Sequence, residues 1–372
     1  EEAEFLKEKG VPYEVIPGIS SAISAPAYAG IPLTHRNMSS AVLIVTGHEA
    51  EKKGESFINW KTLASFHGTI VFLMGMKNIG NIKENLIREG KNPETDICVI
   101  EWGTTPRQKV LVSKLKSVDE DVKKASMRPP AVIVIGDVVR LRDNLMWFEK
   151  LPLFGKRIGI TRPYEHSFEI AEMLKEKGAE ISIIPTIKIV QIFPNESLDR
   201  AIKSLSTYYG IIFTSQNGVR LFFERLFEKG LDSRSLYGIK IFAIGPKTAS
   251  EILSYGIKPD FIPPEYLSEG VVEILKGFDL KNKRFLVPRA KEARDLIPKF
   301  VEDAGGLCDV IPVYKTELPD EPEEIKEIPH LITFTSSSTV RNFVALYGIE
   351  ILRRTNVASI GPATSKTLRD MG

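Results

Sequence analysis

The sequence predicts an α/β protein from end to end, in two parts of different design, and three observations carry that reading. Short apolar runs that close on Gly or small polar residues alternate with stretches whose apolar residues recur at helical spacing, the pattern of layered strands and helices. From Lys156 the chain repeats itself: KRIGITRPYEHSFEI (156–170) returns as KRFLVPRAKEARDLI (283–297), and the offset holds through Gly178/Gly305, Pro185/Pro312 and Lys188/Lys315. Two more pairs follow in order, IIFTSQNGVRLFF (211–223) with ITFTSSSTVRNFV (332–344), and IGPKTASEI (244–252) with IGPATSKTL (360–368). Ordered self-similarity marks a duplicated unit. WFEKLPLFGKRIGITRP (147–163) is therefore a seam between an unrepeated part and a duplicated one.

Length and composition bound what such a chain can be. At 372 residues it holds two or three domains, and 43% hydrophobic content supplies their cores. Lys plus Arg is 50 against 48 Asp plus Glu; a nucleic-acid or membrane-surface protein would carry a basic excess. No apolar run approaches the roughly 18 residues of a membrane span, and no signal peptide is present. Cys98 and Cys308 are solitary, so a reducing cytoplasm is the expected compartment. Glu1 opens inside a helical pattern. The second copy stops at Gly372, the counterpart of Gly256, whereas the first copy runs on through 257–278. The expectation is a chain cut at both ends.

In order, EEAEFLKEKG (1–10) reads as a helix closed by Gly10, and VPYEVIPGIS (11–20) as a strand with a Pro-Gly turn. SAISAPAYAG (21–30) is a small-residue helix ended by Gly30 and Pro32, able to approach a packed neighbour or a flat ligand closely. AVLIVTGHE (41–49) and TIVFLMGMKN (69–78) are strands opening into Gly turns, the second feeding a helix with Ile79, Ile82, Leu86 and Ile87 on one face. DICVIEWGTTPRQKVLV (96–112) is a strand, polar loop and strand, and PPAVIVIGDVVRL (129–141) closes the unit. His35, His48 and His67 share no ligand spacing and read as turn or capping residues. Met74, ending a strand, reads as core.

VIPGISSAISAPAYAGIPLTHR, TGHE, LMGM, EWGTTPRQ and PAVIVIGDVV resemble, in order, the second half of uroporphyrinogen-III C-methyltransferases of the tetrapyrrole methylase family. The resemblance covers 1–148, within a first domain of 1–150. It implies S-adenosyl-L-methionine-dependent methylation of uroporphyrinogen III at carbons 2 and 7, giving precorrin-2, usually in a homodimer. The family's cofactor contacts would fall on Ser20, Ser21, Met74 and Gly103. Its glycine-rich first strand-turn and catalytic acids, whose backbone N–H groups and carboxylates the chemistry needs, have no counterpart here. The expectation is an incomplete cofactor site and no methylation by this chain.

After the seam, each copy has a strand–helix–strand piece ending at Pro185 or Pro312, then a strand, helix, strand and helix. Such units form parallel sheets covered on both faces. TIKI (186–189) and VYKT (313–316) sit where one piece hands over to the next, suggesting a two-stranded connector between two lobes and a cleft. Ligands bind beyond the carboxyl ends of such strands. That places Thr214, Ser215, Gln216, Asn217, the 245–248 turn, Thr335, Ser336, Ser337, Ser338 and the 361–364 turn with Gly361 around the cleft. There is no Ser/His/acid arrangement, Cys nucleophile, metal-spaced cluster or P-loop. Hydroxyls and helix N-termini remain, which suit carboxylates at on the order of 0.3–1 kcal/mol per N-terminus. The same residues are also ordinary helix caps.

IIFTSQNGV, IFAIGPKTA, PPEYLSEGVVEIL, LVPRA, VIPVYKT and SIGPATSKTL resemble uroporphyrinogen-III synthases, from Lys156 to the C-terminus. The resemblance implies two flavodoxin-like parallel α/β lobes joined by a β-ladder, one of 156–186 plus 317–372 and one of 190–312. It implies cyclisation of hydroxymethylbilane to uroporphyrinogen III with ring D inverted, without a cofactor. The family's functional residues would fall on Thr214, Tyr314 and Thr364, with Tyr266, Ser268 and Glu269 at the cleft edge. The two implied steps are consecutive in tetrapyrrole biosynthesis. The competing reading is a two-lobed small-molecule binder or sensor; turnover separates the two.

Overall fold

The structure, a computed structural model, describes residues 2–48 and 57–372. Glu49 of the Thr-Gly-His-Glu motif and Glu1 of the first helix lie outside the described residues. Three sheets organise the described residues.

The first contains β1 (Val42–Thr46), β2 (Thr69–Leu73), β3 (Asp96–Glu101), β4 (Lys109–Lys114) and β5 (Ala131–Ile135), in the order β1-β2-β5-β3-β4. β1 and β2 run parallel, and the remaining pairs are antiparallel. The central strands are apolar throughout because both faces are covered. Ile70, Phe72, Ile97, Val99, Ile133 and Ile135 meet Ile79, Ile82, Leu86 and Val118 on one side. Val71, Cys98, Ile100, Val132 and Val134 meet Ala22, Ala25, Ala29 and Ile31 on the other. Each such side chain contributes about 1.5–3 kcal/mol by leaving water. The small residues of the Ser21–Tyr28 helix allow close approach: a Cβ on Gly103 would lie 2.5 Å from the Ala25 Cβ.

One expected element is not formed. The stretch 11–20 is no strand; Val15, Ile16 and Ile19 are 74%, 83% and 87% exposed. Its alternation of apolar residues meets no partner strand among the described residues, and a lone extended segment leaves its backbone groups to water.

The duplicated part forms two sheets that exchange halves of the two copies. One joins β6 (Arg157–Ile160) and β7 (Glu180–Ile183) to β13 (Leu331–Phe334) and β14 (Asn356–Ser359), in the order β14-β13-β6-β7. The other joins β9 (Gly210–Phe213) and β10 (Lys240–Ala243) to β11 (Arg284–Ala290) and β12 (Leu307–Glu317), in the order β10-β9-β11-β12, with β8 (Lys188–Gln191) at its edge. Repeat-equivalent strands thus occupy equivalent places, and within these four-strand sets all pairs are parallel. β12 runs past its sheet and pairs antiparallel with β8, Tyr314 opposite Gln191 and Glu317 opposite Lys188. That pair is the two-stranded connector.

The seam is pinned by side chains from both parts. Phe148 packs edge to face with Tyr28 and Phe154, Trp147 lies tilted on Tyr28, and Glu149 accepts from Gln108 at 2.8 Å and from Arg142 at 2.7 Å. Arg107 of the β3–β4 loop pairs with Glu180 of β7 at 2.6 Å, and Arg157 holds both Glu180 and Glu327.

Candidate functional site

In the first part, a cavity of about 620 Å³ opens where β2 and β3 end and β5 begins. That is within the range of pockets that take small organic ligands. Ser21, Met74 and Gly103 line it. Ser20 does not; its hydroxyl accepts the Ala22 N–H at 3.3 Å as N-cap of the Ser21–Tyr28 helix. Met74 is not core: it is 65% exposed, with φ of 55°. Trp102 and Thr104, also lining, have φ of 51° and 69°. Left-handed backbone on such residues costs roughly 1–3 kcal/mol each and persists only where surroundings impose it. Here Gly47 crosses beside Gly75, where a Cβ on Gly47 would lie 2.4 Å from the Gly75 Cα. Beyond β3, the Thr104 N–H donates to Gln108 at 2.9 Å. His48, expected to serve a turn, lines the same cavity.

Tested against S-adenosyl-L-methionine, this cavity fits in part. Ala25, Leu73, Ile100 and Val132 offer apolar walls for a purine, and Ser21, Ser24 and Thr104 offer hydroxyls. No carboxylate lines it among the described residues, so neither a ribose diol nor a sulfonium finds an anionic partner.

In the duplicated part a smaller cavity, about 170 Å³, lies at the carboxyl ends of β9, β10 and β11. Thr214 and Ser215 from the turn after β9, Ser268 from the start of the Ser268–Leu275 helix and Tyr314 from β12 line it. The β11–β12 register slips between Arg289 and Ala290, so that Ala290 faces Tyr314; bulges of this kind re-aim side chains. Tyr314 is 8% exposed, and its phenol donates to Ser215 Oγ at 3.0 Å. The same oxygen accepts the Gly218 N–H at 3.0 Å as N-cap of the Gln216–Glu228 helix. A serine hydroxyl has two acceptor positions and one proton. Both acceptors are used, leaving the Ser215 proton as a donor polarised by two incoming bonds. Burial, the largest influence on it, pushes the Tyr314 phenol up and outweighs the Ser215 hydrogen bond.

The other sequence candidates do not join this group. Asn217 reaches the opposite lobe, 3.3 Å from His166, and Lys247 pairs with Glu169 at 2.9 Å, so the Tyr164–Glu176 helix spans the cleft mouth. Gln216 opens its helix half-buried, Glu269 is exposed, and Tyr266, 60% exposed, packs on Gly245. Thr335, Ser336, Ser337 and Gly361 gather on the first lobe, apart from the cavity lining. Ser336 caps the Ser337–Tyr347 helix, and Ser337 donates to the Ala363 carbonyl at 3.2 Å. Thr364 is 4% exposed, as is its repeat counterpart Thr248.

Sequence reading missed Arg289 and Arg294, which complete the smaller cavity's lining. A signal existed: the repeat aligns Arg289 with Arg162. Burial pushes both cysteine thiols up to about 12, which leaves neither a thiolate at neutral pH. Among the described residues no helix is long and apolar enough to cross a membrane.

Comparison with known proteins bears on both parts. The family described as uroporphyrinogen-III synthase HemD matches residues 169–372, and the tetrapyrrole (corrin/porphyrin) methylases match 1–119. The porphyrin biosynthesis protein HemD of Ruminiclostridium josui is 35% identical over 99% of this chain and 74% of its own. The S-adenosyl-L-methionine-dependent uroporphyrinogen III methyltransferase of Methanosarcina barkeri is 49% identical, over 39% of this chain and 57% of its own length. A crystal structure of the Thermus thermophilus uroporphyrin-III C-methyl transferase with S-adenyl homocysteine is 33% identical over 38% of this chain and 59% of that one, with a TM-score of 0.32. The chain thus spans just over half of the methyltransferases it resembles. Its matched residues, with the Ruminiclostridium josui relative alongside nearly their whole length, make it a member of the uroporphyrinogen-III synthase family, with a tetrapyrrole methylase domain ahead of the synthase domain.

Proposed function

We infer that the duplicated part cyclises hydroxymethylbilane to uroporphyrinogen III, and that the cavity around Ser215 and Tyr314 is where its hydroxymethyl end is activated. The buried Tyr314–Ser215 pair carries this reading, because it aims one polarised hydroxyl proton at a pocket lined by hydroxyls and arginines. The C–O bond of the hydroxymethyl group breaks with its electron pair staying on oxygen, and a proton delivered along the hydrogen bond from Ser215 or Tyr314 lets that oxygen leave as water. An azafulvene cation remains. The substituted α-carbon of ring D, at the far end of the chain, attacks the methylene carbon of that cation to give a spiro intermediate. The bond from that carbon to the ring C methylene then breaks, the free α-carbon of ring D closes on the ring C methylene, and a proton is lost. The cleft contributes orientation: ends held in place react as an intramolecular pair, and free closure to the type I isomer is outrun.

In this reading Thr214 and Ser268 hold substrate carboxylates beside the pair, with Gln216, Asn217, Tyr266 and Glu269 at the cleft edge. Thr335, Ser336, Ser337 and Gly361 form the facing wall. Thr364, buried in its helix, positions the 361–364 turn. The lobes divide as 156–186 plus 317–372 and 190–312. The first 150 residues represent the second half of a methylase. They supply one wall of an S-adenosyl-L-methionine site through Ser21, Met74 and Gly103, with Ser20 holding the helix behind it. A homodimer through that part, and a cytoplasmic setting without nucleic acid or membrane, complete the proposal.

The test is turnover. The chain given hydroxymethylbilane should yield mainly the type III isomer by chromatography. An isomer mixture equal to the spontaneous one would leave the duplicated part as a binder.

A further inference from the structure

Arg289 is 7% exposed on a wall of the 170 Å³ cavity, a place where a cation needs partners. Two of its nitrogens have them. Nη1 donates to the Arg294 carbonyl at 2.6 Å, and Nη2 pairs with Asp295. Nε is buried and has no hydrogen-bond partner among the described residues. The guanidinium is planar and cannot discharge its proton, so a buried, unmade Nε–H donor persists at every working pH. The cavity that Arg289 lines is also lined by Ser215, whose own proton is unspent, by Thr214 and by Ser268. Arg294 adds an exposed guanidinium to the same lining. The cavity holds no carboxylate of its own among the described residues.

Its volume decides what can enter. At about 170 Å³ it is smaller than the roughly 300–1,000 Å³ pockets that enclose drug-sized ligands, and far too small for a linear tetrapyrrole. One carboxylate-bearing side arm fits. We propose that this cavity is a single-carboxylate subsite: Arg289 Nε, the Ser215 hydroxyl and the Arg294 side chain hold one acetate or propionate arm of the tetrapyrrole, which fixes the ring carrying it against Tyr314. The inference rests on the cyclisation reading for the identity of its ligand. The Arg289–Asp295 pair does not satisfy the site, because Asp295 occupies only Nη2, leaving the Nε–H unmade and the charge of Arg294 unmatched in the lining. The arm brings a second anion to the remaining donor face, a charge-assisted bond of the stronger kind.

Uroporphyrin III, a stable macrocycle with eight carboxylates, is the probe, titrated by fluorescence quenching into the full chain, the R289K and R289Q variants, and R294A. R289Q and R289K should each weaken binding roughly tenfold or more, since lysine keeps the charge but places no N–H where Nε stands. R294A, at an exposed side chain, should weaken it severalfold, without loss of thermal stability. R289Q also unties Asp295; if it fails to fold, R289K and R294A decide. Wild-type affinity in both folded variants would overturn the subsite. Turnover measured alongside keeps the two readings apart. If wild type makes the type III isomer and the arginine variants match it in KM and affinity, the subsite fails and cyclisation stands. If wild type binds the porphyrin through Arg289 but makes no type III isomer, the subsite stands and cyclisation fails.

Discussion

The phenol of Tyr314 donates to Ser215 Oγ at 3.0 Å, across the boundary between the connector strand and a helix N-terminus. The serine oxygen serves two donors at once, so the pair couples the connector to the Gln216–Glu228 helix as well as to the cavity. Tyr314→Phe removes one hydrogen bond and leaves the ring packed. Its rate of type III formation should fall roughly 5- to 150-fold, the value of about 1–3 kcal/mol in the transition state. Ser215→Ala strands a buried phenol and uncaps the helix, so it should also cost about 1–3 kcal/mol of stability in urea titrations. The double variant should lose less rate than the two single losses summed, because both act through one oxygen. Full additivity would separate the two residues.

The Tyr314 phenol also sets an expectation for pH. Burial raises it above the ordinary value of 10.0. The protonated form is the donor, so no alkaline limb from this group should cut activity below about pH 10. For stability, a group raised on folding contributes fully below its unfolded value and loses that contribution as pH climbs through the folded one. Urea titrations at pH 8 and just above pH 10 should therefore show wild type losing more stability than Tyr314→Phe. An equal loss in both would place the phenol in water.

How much of this was legible before the structure depends on what each residue reports. The sheets were, because Ile70 to Phe72 and Ile97 to Ile100 are apolar at every position, as strands buried on both faces must be. The repeat made the duplication legible, while the exchange of strands between the two sheets was implied only by the resemblance to uroporphyrinogen-III synthases. Val11 to Ser20 misled because alternation reports an amphipathic edge, not the presence of a neighbour to pair with. Met74 misled because nothing in a methionine announces positive φ; the constraint comes from Gly47 and Gly75 packed around it. Arg289 was passed over because an arginine between Pro288 and Ala290 looks like solvated charge. Its burial comes with the central place of β11 between β9 and β12 and with the 294–295 turn that receives its guanidinium, which tertiary structure alone decides.

Asp96 anchors the first sheet's end at 5% exposure, accepting from Lys114 and Arg140, each at 2.6 Å. Burial works to raise its carboxyl, but the two cations outweigh burial and hold it below the ordinary 3.8. A depressed carboxyl adds stability above its unfolded value and loses it as pH falls through the folded one. Asp96→Asn should lower stability by about 1–3 kcal/mol at pH 7. It should also lose less than wild type between pH 4 and pH 2, read by denaturant titration. Parallel acid curves would mean that the pair forms no differential interaction on folding.

Gly103 tests whether the first cavity's floor is packing or ligand space. A Cβ there would meet Ala25 Cβ at 2.5 Å, with the Ala25 Cα 3.2 Å away. Real Cβ atoms do not approach so closely, so Gly103→Ala must push the Ser21–Tyr28 helix off the sheet, at about 1–3 kcal/mol. Thermal unfolding should show that loss, and Ala25→Gly in the same chain should restore part of it. Restoration would identify the contact itself, since glycine in a helix otherwise costs about 0.5–1 kcal/mol. No restoration would assign the loss to the backbone at Trp102 and Thr104.

S-adenosyl-L-methionine binding is the last test, and the cavity's donor set decides the expected sign. Ala25, Leu73, Ile100 and Val132 can take a purine face, yet a purine's burial alone does not recognise this ligand. The ribose diol ordinarily needs a paired acceptor and the sulfonium an anion, and the described lining offers hydroxyls, His48 and Lys77 but no carboxylate. Lys77 would meet the sulfonium as a like charge. Calorimetry with this chain should therefore show no saturable binding at micromolar concentrations. Adenosine, which lacks the sulfonium, should bind no more weakly than S-adenosyl-L-methionine. Saturable micromolar binding of S-adenosyl-L-methionine would show that the cavity is a complete cofactor site as it stands.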